Sequence, residues 1–194
     1  MNSFWKKIQQ IDVKRFFVFG LCILLFQNVI LSQSNSTFKI EKGKIEFESF
    51  KALETIKGEG NTLSGEINAK SQNLKVVADL RDLKVPNSLM NQHMHEDYLE
   101  TEKFSFASFE AKQIVWDKQT NLVKAIGNFT LHGVSKPDVE LNGTLEKKDG
   151  DRFEFTSEFV VKLQDHNIKI PKVLFVKVVE EFQIRVKLFL KEAE

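Results

Sequence analysis

Phe153-Glu-Phe-Thr-Ser-Glu-Phe-Val-Val-Lys-Leu163 and Phe182-Gln-Ile-Arg-Val-Lys-Leu-Phe-Leu190 share one rhythm. In the first, Phe153, Phe155, Ser157, Phe159, Val161 and Leu163 hold every second position. In the second, Phe182, Ile184, Val186, Leu188 and Leu190 do the same. Glu154, Glu158, Lys162, Arg185 and Lys187 fall between them. Successive side chains of a β-strand point to opposite faces, so a period of two means one dry face and one wet face. Much of the chain after residue 37 reads this way, and no long stretch keeps a helical period. A large antiparallel sheet with one apolar face has to close on itself or pack on a second sheet. Once closed, it encloses an apolar cavity, which suits a hydrophobic ligand better than a polar active site.

Working outward, strand-like segments cover 37–50, 54–69, 74–85, 104–115, 122–134, 138–147, 152–164 and 179–191. Gly43 suggests a break or turn inside the first. Gly58, Gly60 and Gly65 suggest bulges or sharp bends, which closed barrels need. Pro86 ends the third. The turns fit Asp117 to Asn121, Lys136-Pro137-Asp138 and Lys148 to Asp151. About eight antiparallel strands can close into a barrel that holds a small or slender ligand.

Two segments break the alternation. Between residues 87 and 103, Met90, Met94 and Tyr98 are spaced four apart and share one helical face, with Asn87 or Ser88 as the cap. The second, Asp165 to Val179, is divided by Pro171, and Lys172 to Val179 reads as a short helix or a strand.

The chain has 194 residues, 18 of them Phe and one Tyr. Phe carries no polar handle, so the enrichment favours dry burial over hydrogen-bonded recognition. Residues 1–34 differ from the rest. Lys6, Lys7, Lys14 and Arg15 precede an apolar run from Phe16, and small residues follow at Ser32, Ser34 and Ser36. That pattern predicts a secretory signal peptide. An uncleaved N-terminal anchor is the alternative, but the apolar run is about 11 residues before Gln27, short of the roughly 20 that span a bilayer. Residues 35–194 are then one domain. Cys22, the only cysteine, lies inside the leader after Phe19-Gly20-Leu21, which is not a lipidation context. The mature chain would be free of cysteine and suited to an oxidising compartment without disulfides. It would carry 24 basic and 26 acidic groups, too balanced for a nucleic-acid binder.

Three stretches resemble one family. They are Asp79-Leu-Arg-Asp-Leu-Lys-Val-Pro-Asn-Ser88, then His95-Glu-Asp-Tyr-Leu-Glu-Thr-Glu-Lys-Phe-Ser-Phe-Ala-Ser-Phe-Glu110, then Ala125-Ile-Gly-Asn-Phe-Thr-Leu-His-Gly-Val-Ser-Lys-Pro137. Together they are similar to the YceI-like polyisoprenoid-binding proteins, across roughly residues 37–191. The third stretch is the most specific, matching a Gly-x-Leu-Thr-x-x-Gly-Val-x-x-Pro pattern with Phe129 in place of its Leu. Phe104-Ser105 stands where the family has Tyr/Phe-Pro. The extra Phe bulk could reshape or shorten a cavity.

The resemblance implies an all-β, eight-stranded antiparallel, lipocalin-like barrel with a short helical segment between strands 3 and 4. It also implies a secreted or periplasmic protein that holds a polyisoprenoid or fatty-acyl lipid for transport or storage. No other cofactor is expected. The family allows a homodimer, and lipid exchange would bring membrane contact. The expected lining is Phe47, Leu63, Val76, Ala107, Phe109, Phe129, Leu131, Phe155, Phe159 and Ile184, with ordinary core packing as the alternative role for each. In 104–109 the alternation alone leaves two sets open, Phe104 with Phe106 or Ala107 with Phe109. The family places Phe109 inside. A second function class is a stress- or host-related surface scaffold that binds a protein through 86–103 or the outer face. An exposed Met90, Met94 and Tyr98 would favour it.

Catalysis has little support. His93 and Asp97 have the spacing of a shared helical face, but His95 does not join them, so the region reads as solvated loop rather than a metal site. His166 beside Asp165 reads as loop. The sequence holds no nucleophile elbow, phosphate loop or dinucleotide fingerprint.

Overall fold

The computed structural model describes residues 37–49, 55–68, 71, 73–169 and 181–193. The leader reading falls on residues 1–34, outside the described residues, as does most of the stretch around Pro171.

Nine strands form one antiparallel sheet: β1 (Thr37–Ser49), β2 (Lys57–Gly60), β3 (Leu63–Asn68), β4 (Asn73–Asp79), β5 (Phe106–Asp117), β6 (Leu122–Leu131), β7 (Val134–Lys147), β8 (Arg152–Lys162) and β9 (Glu181–Ala193). β1 pairs with β9 from Thr37↔Ala193 to Ser49↔Phe182, and this pairing closes the sheet. The other edge of β1 meets β3 at Thr37 to Lys39 and β2 at Ile45 to Glu48, in one continuous register. β2 and β3 are therefore two pieces of a single stave, and the sheet is a closed eight-stave barrel. Full closure leaves no row of unpaired strand edges.

The gap between the two pieces is sealed by side-chain chemistry. A 3-10 turn at Leu80–Asp82 follows β4. The Asp82 carboxylate accepts the Asn61 and Thr62 backbone N–H groups at 2.7 and 3.0 Å. The free edge of β2 is bridged by Lys84, with paired backbone bonds to Glu59 of 2.9 and 2.8 Å. Asp79 clamps Arg81 with both carboxylate oxygens at 2.9 and 2.6 Å.

Several expected boundaries move. Gly43 does not break β1. Its backbone lies so near β3 that a Cβ there would sit 2.6 Å from the Leu63 Cβ, and the irregularity falls instead at the bulge between Ile40 and Lys42. The strand expected to run to Val85 stops at Asp79, where the 3-10 turn begins. Lys136-Pro137-Asp138 is not a turn. The chain reverses at His132-Gly133, both at positive φ (51° and 72°), joining Leu131 to Val134 as a two-residue hairpin. Two positive-φ residues match the right-handed twist of the flanking strands. Pro137 and Asp138 (φ 55°) then sit in the bulge between Gly127 and Phe129, where a missing N–H costs no ladder bond. The last turn of 152–164 is a 3-10 turn at Leu163–His166.

Between β4 and β5 lies helix α1 (Ser88–His93), capped by Asn87, whose Oδ1 accepts the Met90 N–H at 3.0 Å. A single π-helical turn, Met94–Tyr98, continues it. His95 ties this turn to the barrel by donating Nε2–H to the Leu83 carbonyl at 2.9 Å.

The core is unevenly filled. At the end holding the β5–β6 and β7–β8 hairpins, Phe38, Leu145, Phe153, Leu188 and Leu190 pack with Trp116. Phe38 and Phe153 meet edge to face at 5.0 Å, and Trp116 and Phe153 at 6.3 Å. This end is a solid floor. At the α1 end, Leu80, Leu83, Ala107, Leu131, Val161 and Ile168 form a second buried group, and between the two groups the barrel is hollow.

Candidate functional site

The hollow has a volume of about 540 Å³, within the usual range for ligand cavities. Alternation along each stave sends its apolar positions inward. Val76, Phe109 and Phe129 are direct cross-strand neighbours on β4, β5 and β6. Phe159, Ile184 and Phe47 make the corresponding row on β8, β9 and β1. Phe129 meets Phe159 edge to face at 6.0 Å, and Phe47 meets Phe182 at 6.1 Å.

All ten residues named from the sequence line this cavity: Phe47, Leu63, Val76, Ala107, Phe109, Phe129, Leu131, Phe155, Phe159 and Ile184. The ambiguity in 104–109 resolves with Ala107 and Phe109 inside and buried, while Phe106 stands 53% exposed. Outside, the Arg81 guanidinium lies 5.2 Å from the Phe106 ring centre.

Sequence reasoning missed the α1 end of the lining. Leu89, Met90, Met94, Tyr98 and Leu99 all reach the cavity, as do Leu80, Leu83 and Val85 from the preceding turn. The four-residue spacing of Met90, Met94 and Tyr98 was legible as one face, but where that face points depends on the tertiary tie between His95 and Leu83. A protein-docking reading of 86–103 needs the face exposed, whereas the three side chains are half-buried against the hollow.

The electrostatics are simple. Among the described residues no Lys, Arg, Asp or Glu lines the cavity. The polar lining residues are Asn87, His93, Tyr98, Ser108 and Ser157. Ser157 is buried, and its hydroxyl donates to the Asn142 carbonyl at 2.7 Å. Asn87 is used as the helix cap. His93 is paired with Asp97, one turn further along, at 2.5 Å. No group of three or more metal-ligating side chains occurs among the described residues.

The other histidines are structural ties. His166, read as loop, is only 3% exposed. Its Nδ1–H donates to the Val134 carbonyl at 3.2 Å, and its ring stands edge-on to Phe129 at 5.2 Å. Burial holds its pKa below the ordinary 6.5. His132 bridges the Glu100 carboxylate (2.7 Å) and packs on Phe104 at 4.2 Å. These contacts fasten the 99–105 segment and the 163–168 turn to the β6–β7 hairpin.

A closed eight-stave barrel with a helical turn after its third stave is the architecture the resemblance implied, and the family profile for the YceI-like domain matches residues 30–190. The chain belongs to the YceI-like family. Among relatives of this family, a UPF0312 protein of Vibrio vulnificus is 30% identical over 125 residues, covering 59% of this chain and 66% of that protein. The match thus spans just under two thirds of that relative. Two solved structures superpose with a TM-score of 0.64. One is a polyisoprenoid binding domain from Saccharophagus degradans, 18% identical, covering 80% of this chain and 98% of that one. The other is BcnA from Burkholderia cenocepacia, 16% identical, covering 76% and 95%. At these identities the likeness speaks for the fold.

Proposed function

We propose that this YceI-like chain is a non-catalytic carrier that holds a long-chain lipid, of polyisoprenoid or fatty-acyl type, inside its barrel. One observation carries the reading: the barrel holds a hollow of about 540 Å³ whose described lining has no charged residue. Each buried methylene of a ligand contributes about 0.8 kcal/mol. A chain of a dozen or so carbons then outweighs the several kcal/mol lost in immobilising it, without any charged contact. The name of the Saccharophagus degradans relative, a polyisoprenoid binding domain, supports the same ligand class.

The basic and apolar pattern of residues 1–34 supports a periplasmic or secreted setting. No helix among the described residues is long and apolar enough to cross a membrane. The role is transport or storage, with loading and release at a membrane surface. N-terminal sequencing of the protein recovered from the cell envelope tests the leader; the expected start is just after Ser32 or Ser34.

Binding itself is tested with a polyene fatty-acyl probe that becomes fluorescent in dry surroundings. Emission should rise saturably on adding protein and fall when an unlabelled long-chain lipid competes. Phe129→Asp places a carboxylate in the lining and should weaken probe binding at least tenfold, since burying a charge without a partner is costly. Phe106→Asp, on the outer face, should leave it unchanged. Absence of any saturable signal from the wild-type protein would overturn the carrier reading.

A further inference from the structure

Resting on that carrier reading, we propose that the packed floor of the barrel is a chain-length stop. It selects a single hydrocarbon chain of roughly 15–20 carbons over much longer ones. β9 is the ruler. Phe182, Ile184, Val186 and Leu188 line the hollow, but Leu190, next on the same face, does not. Exposure falls along the strand to 1% at Leu188 and 0% at Leu190. The same level recurs on β8, where Phe155 lines the cavity and Phe153 lies beneath it. On β6 the boundary falls at Val123, which belongs to both the lining and the floor cluster.

Beneath this level the barrel is filled by packed side chains. Phe38 and Trp116 each meet Phe153 edge to face. From outside, the Lys118 ammonium lies 5.2 Å from the Trp116 ring centre and covers it. A chain held in the hollow therefore meets a wall at Val123, Phe155 and Leu188.

The volume sets the length. An apolar cavity of about 150 Å³ takes benzene, or about 25 Å³ per carbon. The 540 Å³ here then holds roughly 20 carbons if completely filled, and somewhat fewer for a flexible chain. With no charged residue in the described lining, the part of the ligand inside is the chain.

The test uses the purified full-length mature protein and a series of saturated primary alcohols from about 10 to about 28 carbons, plus a prenol of about 40 carbons. Competition against the polyene probe gives relative affinities. Affinity should rise about fourfold per added carbon, then stop rising at about 15–20. Phe155→Ala removes the ring at floor level and should move that break by about three to four carbons. Phe155→Leu, the milder variant, should move it by about one. An uninterrupted rise through the series, tightest binding by the longest prenol, or a break unmoved in both variants would overturn the chain stop while leaving the carrier reading intact. Failure of every alcohol to bind would remove the carrier reading and the stop with it. Should Phe155→Ala not fold, the wild-type break and Phe155→Leu decide.

Discussion

Asp82 and His166 each hold the barrel together across a distance that local sequence does not reveal. Asp82 accepts two backbone N–H groups from the gap in the β2–β3 stave, about twenty residues earlier in the chain. These bonds, chiefly that from Asn61, hold its carboxyl pKa below the ordinary 3.8. Asp82→Ala leaves both donors without their acceptor and should destabilise the fold by about 1–2 kcal/mol, measured by urea unfolding. A lowered folded-state pKa means that the unfolded chain binds a proton first as pH falls. The stabilisation by Asp82 is therefore present above the ordinary carboxylate range and is lost as pH drops through it. His166 has the same sign at a higher pH. Burial disfavours its charged form, so the unfolded state gains the proton first and stability declines as pH falls below about 6.5. His166→Phe should flatten that slope. An unchanged pH profile in the variant would mean that His166 does not titrate with folding.

Among the elements, those with strict alternation were legible and the irregular ones were not. β8 and β9 stand within a few residues of where period two places them, because one face of each is buried against the barrel interior and a slip of one residue would expose it. The same parity put all ten expected side chains into the hollow. Turns were harder to place. Pro137 has strong turn propensity, yet it lies within β7 at a bulge, while His132-Gly133 makes the reversal without an Asn-Gly signal. Gly133, at φ 72°, is the residue the hairpin depends on, and a Cβ there would meet the Phe104 ring at 2.7 Å. Gly133→Ala should cost at least about 1–2 kcal/mol, visible as a lowered unfolding midpoint; no change would contradict the hairpin assignment. The α1 end of the site was half legible. Its apolar face could be read from spacing, but its direction is set by the bond from His95 to the Leu83 carbonyl. His95→Ala should loosen the π-helical turn, weaken lipid binding several-fold and leave the barrel's strand content unchanged by circular dichroism.

At the scale of the whole molecule, the proposed function rests on closure and uneven filling. β1 pairs with β9 along its length, so no edge remains there for pairing with another chain. The outer face carries ion pairs such as Arg185–Glu158, Lys75–Glu110 and Lys124–Glu140, worth little individually when exposed but keeping that face wet. Inside, the end at the β5–β6 and β7–β8 hairpins is packed solid, and the space between it and the buried group at the α1 end is hollow. A barrel whose only task was structural would gain stability by filling that hollow, because voids forfeit packing energy. The measurement that tests this account most directly is native mass spectrometry of the mature protein purified without detergent, followed by solvent extraction of the bound species. The account predicts a protein-plus-ligand mass and an extracted lipid with a long hydrocarbon chain. A ligand-free mass that stays ligand-free after long-chain lipids are added back would contradict it.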